Sequence, residues 1–162
     1  MNIETLNIFP FDWWGVFVSL VCASIIGLER QLRGKPVGIR TASLIVLGTY
    51  VFVSIGMHEE LGAVEQGRII GQVITGIGFL GAGVMLARDG AVVGVTSAAT
   101  IWMLAAIGIT IAKSHFLAAF LLSVVVVLVL VGVDLLESKT MLLTKGVHQK
   151  YSNWRSRKKS DL

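Results

Sequence analysis

Charged residues divide the chain into five uncharged runs, 13–28, 41–57, 69–87, 90–112 and 116–133, which together hold 93 of the 162 residues. Each run is close to the ~20 residues an α-helix needs to cross a ~30 Å hydrocarbon core, whereas a membrane-spanning strand needs only ~10 with alternating polarity. The pattern predicts an all-α membrane protein, a five-transmembrane-helix bundle with helices over about 13–28, 41–57, 68–87, 94–112 and 115–136. Residues 1–137 form the transmembrane domain. Residues 138–162 form a basic tail with too few apolar side chains to build a second core.

Composition and charge sharpen this picture. Hydrophobic residues make up 54% of the chain and charged residues 15%, against about 25% charged in soluble domains, which excludes an ordinary soluble globule. Segments 1–12, 58–68 and 113–115 carry two basic residues, Arg68 and Lys113, while the opposite set carries twelve: Arg30, Arg33, Lys35 and Arg40, then Arg88, then seven in the tail. The excess of Lys and Arg on cytoplasmic loops puts the N-terminus outside and the C-terminal tail in the cytoplasm. Trp13 and Trp14 then fall at the outer interface. The segment before residue 13 has no Lys or Arg and holds Glu4 and Asp12, the reverse of a signal peptide's basic start. Cys22 stands alone as a half-cystine candidate and reads as a packing residue inside the first helix.

In lipid, helices associate by close backbone approach and interhelical hydrogen bonds, so small residues mark contact faces. Gly15, Ser19, Ala23 and Gly27 recur every fourth position on the first helix. Gly71, Thr75, Gly78 and Ala82 stack along the third. The third helix also holds Gly76, Gly81 and Gly83, a density that invites a kink or an unwound segment. The fifth helix, with an unbroken run of Val and Leu over 124–131, reads as lipid-facing.

Templates for catalysis fail, and the chain reads as no enzyme. Gly76-Ile-Gly-Phe-Leu-Gly81 spells G-x-G-x-x-G, but the dinucleotide fingerprint needs a strand before it and an acidic residue about 20 positions on, and here the motif lies inside a transmembrane run. His58, His115 and His148 fall in separate loops, so no histidine metal cluster forms, and metal ligands stay unassigned. No cofactor is implied. A cytoplasmic polybasic tail beside a transmembrane helix reads as a contact for anionic lipid, at roughly 1 kcal/mol per basic residue, and not for nucleic acid.

Polar residues at the rims and within the runs are the remaining candidates, since charges at membrane depth mark functional sites. Asp12 and Arg68, both at the outer rim, are placed to pair. Arg68, Gln72 and Thr75 share a helical face at i, i+4, i+7. Glu29, Arg30, Arg40 and the Arg88-Asp89 turn form an inner charged layer. The fourth helix adds hydroxyls at Thr96, Ser97 and Thr100, with Trp102 near mid-run.

Gly27-Leu-Glu-Arg30, Lys35-Pro-Val-Gly-Ile-Arg-Thr41, Gly71-Gln72, Gly76-Ile-Gly-Phe-Leu-Gly-Ala-Gly83 and Gly94-Val-Thr-Ser-Ala-Ala-Thr-Ile-Trp102 occur in order along the chain. This series resembles the MgtC/SapB family of bacterial inner-membrane proteins, over about residues 12–137. The resemblance implies a multi-pass fold in the inner (plasma) membrane. It also implies shared motif positions at Asp12, Glu29, Arg30, Arg40, Thr41, Arg68, Gln72, Thr96, Ser97, Thr100 and Trp102. Val37 stands where the family often has Ala, and Ser97 where it often has Thr. The family's virulence-type members carry a soluble C-terminal domain where this chain has a basic tail.

Two functions follow from the resemblance, whose family is linked to magnesium homeostasis and to the modulation of other membrane machines. One is a regulator that binds another membrane protein through its small-residue faces. The other is an oligomeric ion transporter or channel with a polar path along the glycine-rich third helix. Mg²⁺ prefers one or two carboxylates and keeps its waters, yet every carboxylate here lies at a helix end or in a loop, mostly beside an Arg. That favours the regulator. A small bundle with several small-residue faces also suggests a homo-oligomer, most simply a two-fold dimer.

Overall fold

The computed structural model describes residues 8–58, 62–88 and 91–139. Among them five α-helices follow one another: α1 (Trp13–Leu32), α2 (Ile39–His58), α3 (Ala63–Val84), α4 (Val95–Ala112) and α5 (Phe116–Lys139). A short antiparallel hairpin, β1 (Leu86–Arg88) with β2 (Ala91–Val93), joins α3 to α4. All five helices are long and apolar enough to cross a membrane. The chain divides into two compact units, up to Val127 and from Leu128 onward. The second unit contributes the last part of α5, where Leu128, Val129, Val133 and Leu135 are exposed; the expected tail beyond residue 139 lies outside the described residues.

Local sequence explains the element ends. Asp12 is extended, and its carboxylate accepts the Gly15 N–H, satisfying one of the amides that a helix start leaves unpaired. Past α1, Gly34 turns the chain at φ +62, a left-handed conformation that a residue without Cβ adopts without strain. Before α4, Gly94 has φ +92, and a Cβ there would collide with the Val84 carbonyl.

The core of the first unit lies where α1, α2 and α4 meet. Cys22, Ala23 and Ile26 of α1, Val46 and Val53 of α2, and Leu104 and Ile107 of α4 are fully buried. Three glycines let these backbones close. A Cβ on Gly27 would sit 2.6 Å from the Ile39 Cα, one on Gly15 would strike the Tyr50 ring, and one on Gly108 would lie 2.7 Å from the Val46 carbonyl. The start of α5 joins this core through Ala119 and Ser123, both fully buried. In contrast α3 buries only Gly81 among its described side chains.

The third helix differs most from the sequence expectation of 68–87. It starts five residues earlier, at Ala63, and stops at Val84. No segment of α3 is unwound: the helix is continuous through Gly71, Gly76, Gly78, Gly81 and Gly83. Propensity costs per glycine are about 1 kcal/mol, and in lipid an unwound segment would leave backbone groups unpaired at a greater cost. The all-α expectation also missed the hairpin. The chain carries its signal, because Asp89-Gly90 is the dipeptide that two-residue hairpin turns prefer and β-branched Val92 and Val93 follow it.

Candidate functional site

The sequence candidates fall into three places in the first unit. At the end of α1, Glu29 and Arg30 are adjacent and Arg33 lies one turn on. Arg30 Nε donates to Glu29 Oε2, its Nη2 donates to Oε1 at 2.8 Å, and Arg33 Nε approaches Oε1 at 2.7 Å. The Glu29 and Arg30 side chains are only 7% and 3% exposed. A carboxylate gripped by two guanidiniums at low exposure has its charge compensated and both oxygens engaged, so it holds the α1 end together rather than offering ligands to a cation. The Lys35 N–H donates to the Arg30 carbonyl at 2.9 Å, which folds the following loop back onto the cluster. Arg40, expected in the same charged layer, is exposed. Asp89 lies outside the described residues.

At the opposite end of the bundle, Asp12 meets Tyr50 of α2. The Asp12 N–H donates to the Tyr50 hydroxyl at 3.0 Å, and that hydroxyl lies 3.4 Å from Asp12 Oδ2 as its donor. These groups line a polar hollow of about 160 Å³ with Ser54 and Ser114. The expected partner does not take part. No ion pair joins Asp12 to Arg68 among the described residues, because α3 begins at Ala63 and carries Arg68 into its second turn, where it is exposed. Asp12 is instead used by its own helix and by Tyr50. Sequence reasoning missed Tyr50; a tyrosine inside an apolar run signals a hydroxyl in need of a partner, but nothing local points to a residue 38 positions away.

The third place is a cleft of about 730 Å³ between α2 and α3, backed by Ile101 of α4. Three sequence candidates line it together: Thr41, Gln72 and Gly76. The rest of its wall is apolar, with Thr49 the other polar side chain. Gly71, Thr75, Gly78 and Ala82 lie on a different face of α3, all exposed, and Cβ atoms on Gly71, Gly76, Gly78 or Gly83 would meet nothing within 4 Å. Of the α3 glycines Gly81 alone sits against α4, where a Cβ would lie 3.6 Å from the Ala98 carbonyl oxygen.

Hydroxyls along the helices are bonded within their own helices. Thr75 donates to the Gly71 carbonyl at 2.9 Å, and buried Thr100 to Thr96 at 2.8 Å. On α1, Ser19 donates to Gly15 at 2.7 Å. Such back-bonding uses up the one hydroxyl proton. Ser97 is buried, Thr96 exposed, and Trp102 is 55% exposed on the outside of α4. Among the described residues no three His, Cys, Asp or Glu side chains converge as a metal site, and no buried side-chain nitrogen or oxygen lacks a hydrogen-bond partner.

The family model for the MgtC family matches residues 16–139. The chain belongs to the MgtC family. Its relatives include YhiD of Escherichia coli (strain K12), named as a candidate magnesium transporter, 38% identical over 71% of this chain and 56% of that protein. An uncharacterized protein of Haemophilus influenzae is 38% identical over 88% of this chain and 60% of its own length. Protein MgtC of Salmonella typhimurium (strain LT2) is 33% identical over 76% of this chain and 52% of that protein. The chain thus spans somewhat over half the length of these relatives. No solved structure matches it. With five apolar helices and this kinship, it is a multi-pass membrane protein. The MgtC match spans the Glu29 cluster, the cleft and the bare face of α3, and starts four residues after Asp12.

Proposed function

We propose that this MgtC-family chain is a regulator in magnesium homeostasis that acts by docking a helix of another membrane protein, or of a second copy, on the bare face of α3. The carrying observation is that Gly71, Thr75, Gly78 and Ala82 form one exposed face on the helix least covered by its own chain. Small residues in lipid are worth most where a second backbone comes close. The back-bonded hydroxyls and the apolar cleft wall support binding over conduction, because a water-filled ion path needs polar groups aimed into it. The relative named for magnesium transport links the reading to that ion. In this reading the chain sits in the bacterial inner membrane with Asp12 outside and the Glu29 cluster at the cytoplasmic rim, following the asymmetry of Lys and Arg.

Purified protein in proteoliposomes tests it: no Mg²⁺ flux above that of empty vesicles is expected, together with retention of a membrane partner or a second copy that Gly78→Leu abolishes. Flux that scales with protein would replace the regulator with the transporter, and reporter fusions placing residue 162 outside would reverse the orientation.

A further inference from the structure

The cleft between α2 and α3 is separate from the docking face, because the cleft-lining Gln72, Gly76 and Leu80 project from a different side of α3 than Gly71, Thr75 and Gly78. Its wall runs along α2 from Thr41 to Phe52 and along α3 from Ile69 to Val84. Eleven residues of helix rise about 17 Å, close to half of the ~30 Å hydrocarbon core. The α2 wall therefore has about the depth of one leaflet, and the α3 wall, fifteen residues or about 22 Å long, runs further. Its Thr41 and Val84 end lies near the ends of both helices, and its lining is almost wholly apolar.

Among the described residues that end carries exposed cations. Arg40 directly precedes Thr41 and is exposed, as is Lys35 in the preceding loop. Glu29 at the end of α1 is already held by Arg30 and Arg33, and no ion pair engages Arg40 or Lys35 among the described residues. The first turn of α2 adds amide groups whose dipoles favour an anion at the same end. An apolar slot with exposed cations at its end matches a molecule with an anionic head and a hydrocarbon tail.

We propose that this cleft is a binding site for an anionic phospholipid, with one acyl chain between α2 and α3 and the phosphate at Arg40 and Lys35. Basic pockets between transmembrane helices at the membrane surface bind such headgroups. The occupant fills the space beside Gly48 and Gly76, where a Cβ would meet nothing within 4 Å. The lipid extends α3's contact with α2 and so sets how firmly α3 is held.

The test uses the full chain reconstituted in vesicles of phosphatidylcholine doped with phosphatidylglycerol carrying a photoactivatable acyl chain, and in parallel with the same probe on phosphatidylcholine. Labelling of α2 and α3 peptides facing the cleft is expected with the glycerol probe, and several-fold less with the choline probe. Arg40→Gln and Lys35→Gln should each lower it about fivefold. Gly76→Phe and Gly48→Phe fill the slot from positions that have room, and should abolish cleft labelling while helical content and elution volume in detergent stay unchanged. Equal labelling by both probes, labelling that survives both phenylalanine variants, or crosslinks from the cleft to a second copy or another protein in place of lipid would each overturn the proposal. Because the variants avoid Gly71, Thr75 and Gly78, loss of lipid with partner binding retained separates this site from the docking face.

Discussion

Helices α1 and α3 carry the same sequence device and use it differently. Both space small residues along one face of an apolar helix, every fourth position on α1 and at four, three and four on α3. On α1 each of them is spent inside the chain: Ser19 and Ala23 are fully buried, Gly15 receives the Tyr50 ring, and Gly27 receives the α2 backbone. On α3 the stripe of Gly71, Thr75, Gly78 and Ala82 faces outward, and only Gly81 meets a neighbour. Periodicity of small residues therefore reports that some backbone can approach; it does not say whose.

The comparison is sharpest at the charged ends. Glu29 closes α1 in a buried cluster, so Glu29→Gln leaves Arg30, 3% exposed, without its counter-charge. Breaking a buried pair from one side costs about 3–5 kcal/mol. The variant should lose most of its folded yield in detergent, while Arg68→Gln on exposed α3 should melt with the unaltered protein. Equal melting of the two would remove the distinction between a sealed end and an open one.

Next in size is steric. Gly27→Leu and Gly108→Leu push side chains into the Ile39 and Val46 backbones, and overpacking of this kind costs about 1–3 kcal/mol or more. Thermal melts in detergent should fall for both. The same change at Gly78 meets open space, so its melt should not move, and its effect should appear in co-purification of a partner or second copy. A lowered Gly78→Leu melt with unchanged association would mean that the α3 stripe is merely surface.

Much of the fold was legible in the chain because crossing a membrane imposes length and apolarity on each helix, and the runs around 13–28, 41–57 and 116–133 carry both. The hairpin at Leu86–Val93 was not read, since on hydropathy alone Leu86-Ala87 before the Arg88-Asp89-Gly90 break and Ala91-Val92-Val93 after it extend the neighbouring runs. The site was legible in part. Glu29 and Arg30 are adjacent and Arg33 is one turn away, so their cluster is a local fact. Thr41, Gln72 and Gly76 were picked as candidates, yet their convergence on one cleft depends on how α2 and α3 pack. The Asp12 to Tyr50 contact depends on the antiparallel register of α1 and α2, which no spacing within either helix reveals.

The smallest effect expected concerns Asp12, and it decides whether α1 and α3 communicate at the end of the bundle away from Glu29. Both rim charges suggest a pair when only sequence is in view. In the structure Asp12 caps α1 and meets Tyr50, while Arg68 lies a turn and a half into α3. Asp12→Ala should therefore cost about 1 kcal/mol as a lost helix cap. Tyr50→Phe should cost a similar amount by removing the hydroxyl that accepts the Asp12 N–H. Residues without shared partners add within about 0.3–0.5 kcal/mol, so the Asp12→Ala, Arg68→Gln double variant should melt where the sum of the singles places it, whereas Asp12→Ala with Tyr50→Phe should cost less than its sum. Coupling between Asp12 and Arg68 larger than that between Asp12 and Tyr50 would show that α3 closes onto α1 in the membrane, and would bring Arg68 back as a partner of the helix start.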